Sequence, residues 1–299
     1  MPTDGSPEAA PDLWADWVLR RRHGGDAAIR ARRLRELDTV RDAVLDRLEL
    51  RPGQALLDVG SGDGLVGLGA LPRVGATGEV IFSDISADLI DACRAAADRL
   101  GMAARCRFVV ARAEQLTGVA DASVDAVASR AVLIYVEDKR AAFAEFYRVL
   151  RPGGRISLHE PINRLMFPEP PEEFFWGYPV GPLGDLAALL KADDQCSEAE
   201  STLVDFDERD LFAFAVETGF AELHLELHRQ ATQAREPMPW ETFLASSPNP
   251  LARSNGELIE ARLTPRQRSR LEAHLRAVVE KGQRTHRLAI ARLWAQKPG

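Results

Sequence analysis

The sequence LLDVGSGDG at residues 56–64 constrains this chain more than any other segment. It predicts a buried strand that ends in an acidic residue, Asp58, and then turns through Gly60, Gly62 and Gly64 into a helix. Glycine has no Cβ, so each of the three can adopt a positive φ and let a ligand lie against the main chain. The following helix directs its free N–H groups and the positive end of its dipole at that ligand. The segment therefore predicts a binding loop for a nucleoside cofactor that carries a carboxylate or a phosphate.

The glycine spacing alone does not choose between two kinds of cofactor. Residues Gly62–Gly67 also match G-x-G-x-x-G, the fingerprint of dinucleotide-binding folds. Asp58 favours the other kind, because a carboxylate is badly placed beside a pyrophosphate and well placed beside an ammonium and a sulfonium group. A second acidic residue, Asp84, ends the next predicted strand and can accept hydrogen bonds from both hydroxyls of a ribose. That spacing fits both kinds of cofactor, and capping of the following helix is the structural alternative for Asp84.

Charge and composition exclude several classes of function. The chain has 299 residues and a formal net charge of −7, which argues against nucleic acid as a partner, because phosphate binding needs a basic surface. No apolar run approaches the roughly 20 residues of a membrane span, and the N-terminus shows no signal-peptide pattern. The cysteines are scattered, so no metal site is predicted, and a reduced, cytoplasmic location is expected. The expected assembly is a monomer or a homodimer.

Alternating strands and helices predict an α/β fold. Residues 1–50 are expected to form an N-terminal tail, disordered up to residue 11, followed by helices that belong to the cap. Residues 51–299 then alternate short apolar strands with helices, which is the pattern of a doubly wound, mostly parallel sheet with helices on both faces. The predicted strands lie at 55–59, 79–83, 107–110, 124–128, 155–160, 221–228 and 287–296, and the helices between them at 65–72, 86–100, 139–150 and 207–218.

Two insertions interrupt this alternation. The first covers about residues 161–204 and is rich in proline and aromatic residues, so it is expected to be ordered. The second covers about residues 232–284 and has a mostly helical pattern, with Pro265 at a helix start. Both are expected to form a cap over the substrate side of the domain.

Further motifs follow the glycine loop in a fixed order. Segment 109–116 comes after the third strand, segment 121–136 contains the fourth, and VLRPGGR at 149–155 predicts a tight turn into the fifth. Together with the loop, these segments resemble the motifs of the class I S-adenosylmethionine-dependent methyltransferases. The resemblance covers about residues 51–160 and returns at 206–227 and at the last strand. It implies a Rossmann-like methyltransferase fold, a seven-stranded sheet with an antiparallel last strand, and S-adenosylmethionine as the cofactor.

The resemblance also implies which residues hold the cofactor. The set is Asp58, Gly60, Ser61, Gly62, Gly64, Asp84, Ile85, Ala113, Glu114 and Ser129. Arg112 departs from the family pattern, because an acidic residue often stands there and accepts a hydrogen bond from the adenine amino group, which arginine cannot do. Ala113 and Glu114 are the predicted substitutes.

The methyl acceptor is expected beyond the carboxyl ends of the strands, where ligands of open parallel sheets bind. Methyl transfer is an in-line displacement, which needs alignment of the reactants and a base only when the acceptor must lose a proton. Glu160, at the end of the fifth strand, is the first candidate base and His159 the second. The alternative for Glu160 is a carboxylate paired with Arg130, Arg164 or a helix end, and a satisfied core histidine is the favoured alternative for His159.

Aromatic residues predict an apolar pocket for this acceptor. The residues expected there are Trp17, His23, Arg130, Tyr135, Trp176, Tyr178 and Trp240. Ordinary helix packing is the favoured alternative for Trp17, and a second small core is the alternative for the aromatic residues of the insertions. The expected acceptor is a small hydrophobic or aromatic metabolite, with natural-product tailoring as the suggested setting.

Two other functions remain open from the sequence. One is an NAD(P)-dependent oxidoreductase, against which Asp58 and the turn at 150–155 argue. The other is a non-catalytic partner protein that keeps the fold. The intact glycine loop and Asp84 argue against that second alternative, whereas the departure at Arg112 leaves it open.

Overall fold

The computed structural model describes residues 12–167, 169, 172–191 and 201–299. The strands are β1 (Ala55–Val59), β2 (Glu79–Asp84), β3 (Cys106–Val110), β4 (Val124–Arg130), β5 (Leu150–Pro161), β6 (Phe174–Phe175), β7 (Tyr178–Pro179), β8 (Ala221–Arg235) and β9 (Gln283–Gln296). The helices are α1 (Leu13–Leu19), α2 (Ala27–Asp46), α3 (Leu65–Val74), α4 (Ala87–Arg99), α5 (Lys139–Val149), α6 (Gly184–Lys191), α7 (Glu208–Thr218), α8 (Trp240–Ala245), α9 (Asn255–Arg262) and α10 (Pro265–Glu280). Seven strands form one sheet in the order β3-β2-β1-β4-β5-β9-β8, which confirms the predicted fold class.

β1 lies near the middle of this sheet, and all five of its residues are buried. It pairs in parallel with β2 on one side and with β4 on the other, so that Val59 lies opposite Ser83 and Ser129. The strand order reverses between β1 and β4, and ligands of doubly wound sheets bind in the crevice that this reversal opens at the carboxyl ends. The glycine loop begins at that crevice.

Helices cover both faces of the sheet, as the alternating pattern predicts. On one face, α2, α3 and α4 bury Leu45, Val66 and Ile90 against β1 and β2. On the other face, α5 and α7 bury Phe143 and Leu211 against β4 and β5. Apolar residues spaced three or four apart place such side chains on one stripe of each helix, and that stripe packs on the sheet.

The last strand, β9, runs antiparallel to both of its neighbours, β5 and β8, as predicted. The paired strands are longer than the sequence patterns suggest, since Arg235 of β8 still lies opposite Gln283 of β9. Residues 232–235 and 283–284, expected within the second insertion, therefore belong to the sheet. In antiparallel pairing every second pair of opposite residues exchanges two main-chain hydrogen bonds, so these polar residues remain in strands.

The predicted turn at residues 151–154 is part of β5. It forms an irregularity in the strand, with Val124 opposite Leu150 but Ala126 opposite Arg155. Gly153 has a φ of 78°, which explains why a glycine stands there.

A second, smaller core lies in the inserted segments. β6, β7 and α6 of the first insertion and α8, α9 and α10 of the second bury Phe175, Leu186, Phe243 and Leu271 together. Residues 1–11, 168, 170–171 and 192–200, including the expected disordered tail, lie outside the described residues. Within the described ranges, no helix is long and apolar enough to cross a membrane, and no group of three metal-binding side chains occurs.

Candidate functional site

The glycine loop has the backbone that its sequence predicts. Gly60, Gly62 and Gly64 have φ values of 66°, 56° and 90°, which side chains with a Cβ rarely adopt. A Cβ on Gly60 would overlap the side chain of Val132, whereas the space beside Gly62 is open for at least 4 Å. At Gly60 the loop therefore packs closely against the segment after β4. At Gly62 its main chain is left uncovered.

Asp58 lies at the floor of the site, at the end of β1. Its Oδ2 accepts a hydrogen bond of 2.7 Å from the N–H of Gly67 in the first turn of α3. Burial raises the pKa of this carboxyl to about 7, and the nearby Arg130 opposes part of that rise. The carboxylate thus fixes the angle between strand and helix, and it also faces the open side of the loop.

Asp84, at the end of β2, joins the loop to the next helix. One carboxylate oxygen accepts the N–H of Gly62 at 2.9 Å, and the other accepts the N–H of Ser86 at 3.0 Å. Burial raises the pKa of Asp84, although these two hydrogen bonds oppose the rise. Ser86 is the N-cap of α4, so the capping geometry expected at this position is supplied by the serine and not by Asp84.

These elements surround a cavity of about 430 Å³ at the carboxyl ends of β1, β2 and β4. That volume is within the usual range for small-molecule sites. Most of the residues predicted from the sequence line it. They are Asp58, Gly60, Ser61, Gly62, Asp84, Ile85, Ala113 and Glu114 from the cofactor set, and Trp17, Arg130 and Tyr135 from the acceptor set.

The segment after β3 forms the wall beyond Asp84. Arg112, the residue that departs from the family pattern, forms an ion pair with Glu114 at 3.1 Å. The guanidinium is half exposed and the carboxylate is mostly covered. Ala113 is buried and lines the cavity with both of them. The predicted substitutes, Ala113 and Glu114, are therefore at the cavity wall next to Arg112.

Two members of the cofactor set lie behind the cavity wall. Gly64 is the N-cap of α3, and a Cβ there would press against Leu68 and Cys93. Ser129 is fully buried, and its hydroxyl donates a hydrogen bond of 3.4 Å to Oε1 of Glu160. Both shape the site through neighbouring residues and do not line the cavity.

Glu160 is also turned away from the cavity. Its carboxylate accepts the N–H groups of Val132 at 3.0 Å and Leu133 at 3.0 Å. Burial raises its pKa to about 7, while those hydrogen bonds oppose the rise. Side chains alternate along a strand, and Glu160 shares its face of β5 with the core residues Ile156 and Leu158. The first candidate base thus holds the turn after β4, where Ala131 has a φ of 56°.

His159 points to the opposite face of β5 and does not line the cavity either. Its buried Nδ1 has no hydrogen-bond partner among the described residues, which differs from the satisfied core histidine favoured above. Burial lowers the pKa of the ring to about 3, and Arg130, Arg292 and Arg47 lower it further. The ring is therefore neutral near pH 7.

The residues predicted to contact the methyl acceptor are divided between the cavity and the second core. Trp17 and Tyr135 form an aromatic wall of the cavity together with Trp14, whose ring lies edge-on to that of Tyr135 at a centroid distance of 4.9 Å. Trp176, Tyr178 and Trp240 do not line the cavity, because they pack in the second core. The ring of Trp176 contacts that of Phe175, and the rings of Tyr178 and Trp240 contact that of Phe243. The alternative of a second small core is the one that the structure supports for these three residues.

His23 is likewise outside the cavity. It lies in a one-turn helix, Arg21–His23, after α1, and burial lowers the pKa of its ring to about 4. The next residue, Gly24, packs against the main chain of Thr242 in α8. This turn therefore connects the N-terminal helices to the second insertion.

Several lining residues are not in the set predicted from the sequence, among them Arg22, Ser247 and Pro248. The indole Nε1 of Trp17 donates to the carbonyl of Ser247 at 3.0 Å, which ties α1 to the segment after α8. Residues 17 and 247 are far apart in the chain, and no local pattern links them. Arg22 lies next to the predicted His23 and could have been found from the helical spacing that follows Trp17 and Val18.

Comparison with known proteins identifies the family. A family model for the methyltransferase domain matches residues 57–158. The ubiquinone/menaquinone biosynthesis C-methyltransferase UbiE of Legionella pneumophila is 31% identical over 180 residues, which cover 58% of this chain and 70% of that protein. The chain belongs to the class I S-adenosylmethionine-dependent methyltransferases. This methyltransferase therefore uses S-adenosylmethionine, and the NAD(P) alternative is not retained.

Other similarities are more partial. The arsenite methyltransferase of Halobacterium salinarum is 34% identical over 120 residues, which cover 40% of this chain but only 30% of that protein. A solved structure of a geranyl diphosphate C-methyltransferase from Streptomyces coelicolor A3(2) superposes with a TM-score of 0.52, at 17% identity, and covers 93% of this chain and 85% of that one. At that identity the likeness shows the fold alone.

The cavity fits the cofactor of this family. Bare main chain at Gly62 and the carboxylates of Asp84 and Glu114 suit the hydroxyls and amino group of a nucleoside. The carboxylate of Asp58 suits a cationic group. These residues are the ones that would hold S-adenosylmethionine.

Proposed function

We propose that this methyltransferase transfers the methyl group of S-adenosylmethionine to a small aromatic or hydrophobic metabolite. One observation carries the proposal: a single cavity of about 430 Å³ runs from the glycine loop to the aromatic wall of Trp14, Trp17 and Tyr135. Aromatic side chains bind flat apolar molecules through large contact areas and specific ring geometry. A cofactor at the loop and an acceptor at the wall would share this space.

The protein's own residues supply position and enclosure. When bound, S-adenosylmethionine supplies an activated methyl group on a sulfonium, so alignment of the reactants accounts for much of the catalysis. Asp84 and the glycine loop orient the nucleoside end, and the aromatic wall orients the acceptor. α1 and the segment at Ser247, joined by the hydrogen bond of Trp17, border one side of the cavity and would shield bound reactants from water.

The charge and the relatives support a small acceptor. The formal net charge of −7 does not favour a nucleic acid. The relative from Legionella is named for quinone biosynthesis, and we extend to this chain only the class of small organic acceptor. Natural-product tailoring is the setting that we propose for it.

The cofactor half of the proposal is tested by isothermal titration of S-adenosylmethionine into the wild type and Asp84→Asn. The variant replaces an acceptor of two main-chain N–H groups with a side chain that donates from one end, so we expect affinity to fall about 10- to 100-fold, the range for hydrogen bonds to charged groups. Asp88→Asn, exposed in the first turn of α4, is the matched control and should bind like the wild type.

The acceptor half is tested with isotopically labelled S-adenosylmethionine and a metabolite extract of the producing cells. We expect label in a small organic compound, and none with Asp84→Asn at the same cofactor concentration. Label found only in protein or nucleic acid would contradict a small acceptor.

A further inference from the structure

Charged side chains around the cavity are unevenly paired. Four carboxylates line it, and each has a partner: Asp58 and Asp84 accept main-chain N–H groups, Asp63 pairs with Arg30 at 3.0 Å, and Glu114 pairs with Arg112. Of the three arginines that line it, Arg112 is thus already paired. The other two, Arg22 and Arg130, form no ion pair with any of the described residues.

These two arginines are close enough to repel each other. Burial lowers the pKa of Arg22 to about 10, and Arg130 is the next largest cause of that shift. Burial also lowers the pKa of Arg130. Both remain protonated at neutral pH, so the cavity holds two positive charges whose nearest carboxylates are engaged elsewhere. Such an arrangement costs free energy until anions bind.

The two arginines come from different elements that border the cavity. Arg130 is the last residue of β4, and it interacts electrostatically with Asp63 and Glu160 and then with Asp58. Arg22 lies in the turn after α1, where its guanidinium stacks over the ring of Trp17 at 5.0 Å from the centroid. Arg130 is therefore the arginine beside Asp58, and Arg22 is the arginine on the aromatic wall.

The cofactor can neutralise only one of these charges, because S-adenosylmethionine carries one carboxylate. We propose that the acceptor is an aromatic or hydrophobic acid whose anionic oxygen group is held by Arg22, while Arg130 faces the methionine carboxylate. A planar guanidinium fixed by stacking on Trp17 suits two-point binding of a carboxylate or a phosphate. This inference rests on the proposed function. It adds that the acceptor is negatively charged, which the aromatic wall alone does not indicate.

The test uses three probes of the same shape on the protein saturated with S-adenosylhomocysteine: 1-naphthoate, 1-naphthyl phosphate and the neutral 1-naphthamide. Binding is followed by tryptophan fluorescence, since Trp14 and Trp17 line the cavity. We expect at least one anion to bind about tenfold or more tightly than the amide, as a charge-assisted hydrogen bond predicts. The tighter of the two anions identifies the acidic group as a carboxylate or a phosphate.

Variants test whether Arg22 is the residue that causes the preference for the anionic probes. Arg22→Gln should remove the preference for the anion while changing the affinity for S-adenosylhomocysteine less than about threefold, and Arg22→Lys should keep part of the preference because it keeps the charge. Arg20→Gln is the matched control, since Arg20 is exposed and pairs with Asp16 on the surface of α1. Thermal unfolding of each variant shows whether it is folded.

Equal binding of anions and amide, or no saturable binding of any probe, overturns the inference. So does an Arg22→Gln variant that loses S-adenosylhomocysteine affinity but keeps the anion preference. Failure of the wild type to bind S-adenosylhomocysteine is a different result, because it removes the proposed function itself.

Discussion

Two buried carboxylates near the carboxyl ends of β1 and β5 differ in role because their hydrogen-bond partners differ. Asp58 and Glu160 are both buried, and burial raises the pKa of each to about 7. Both oxygens of Glu160 accept hydrogen bonds from the turn after β4, Oε2 from the N–H groups of Val132 and Leu133 and Oε1 from that of Val132. Asp58 accepts one hydrogen bond from Gly67 and borders the cavity. Glu160 is therefore a positioning residue, and Asp58 can respond to the charge of a ligand.

The pKa of Asp58 makes cofactor affinity depend on pH. A cationic ligand beside Asp58 favours the ionised carboxylate, so binding below pH 7 must displace a proton. We expect affinity for S-adenosylmethionine to rise from about pH 5.5 to about pH 7.5 and then to level off. Titration calorimetry in two buffers with different ionisation enthalpies should show proton release at the lower pH. Asp58→Asn should bind more weakly and without proton release; release that persists in the variant would assign it to another group.

Glu160→Gln tests the positioning role. The amide has one acceptor oxygen, which can take the place of Oε2 and keep the N–H groups of Val132 and Leu133. Its NH2 group then takes the place of Oε1 and faces the N–H of Val132, so we expect a loss of about 1–3 kcal/mol in the free energy of unfolding. Urea denaturation measures it, with Glu49→Gln as the control, because Glu49 is exposed and pairs with Arg155 at the surface. If methyl transfer vanished while stability stayed at the wild-type value, Glu160 would be the base that the sequence suggested.

At the scale of single elements, α1 depends on tertiary contacts. It has seven residues, too few for a stable isolated helix. Its N-cap, Asp12, accepts a hydrogen bond of 2.6 Å from the hydroxyl of Ser86, and Trp17 bonds to Ser247 near its other end. Two hydrogen bonds thus hold this helix over the cavity, one to α4 and one to the second insertion.

Trp17→Phe removes the second of these hydrogen bonds and keeps a ring in place. A lost hydrogen bond of this kind is worth about 1 kcal/mol, so we expect S-adenosylhomocysteine to dissociate roughly fivefold faster. Stopped-flow displacement measures the rate. Leu13→Ala, at an exposed position of the same helix, should leave it unchanged, and an unchanged rate in Trp17→Phe would mean that α1 does not retain the ligand.

At the scale of the whole molecule, the two hydrophobic cores have different roles. The sheet and its helices build the cofactor site, and the second core holds the inserted segments together. Phe243 is central to the second core, since its ring contacts those of Phe175, Tyr178 and Trp240. Among the described residues of the insertions, Pro161, Ser247 and Pro248 line the cavity.

Phe243→Ala tests whether the second core contributes to stability without contributing to cofactor affinity. Removing a buried phenylalanine costs about 3–5 kcal/mol, so the free energy of unfolding should fall by that amount. The folded fraction should bind S-adenosylmethionine with wild-type affinity, as measured by calorimetry at low temperature. Phe212→Ala, at an exposed site on α7, is the control. A large loss of cofactor affinity without a loss of stability would place Phe243 at a ligand.

The sequence by itself determined the sheet, the glycine loop and the cofactor end of the site. β1 has the bounds that its apolar run predicts, and Ser86 and Asp207 cap the helices that their spacing indicates. These features depend on local forces: burial of a short apolar run, capping of free N–H groups, and the need for glycine at a positive φ.

Only the tertiary structure decided which distant residues meet. Trp176, Tyr178 and Trp240 are aromatic residues of the kind that lines pockets, but they pack on Phe175 and Phe243 in the second core. Arg22 and Ser247 reach the cavity from distant parts of the chain. An apolar or charged side chain can be stabilised by many different partners, and its residue type does not specify which of them it contacts in the folded chain. The residues that border the proposed acceptor end are therefore brought together by packing between segments that no local pattern connects.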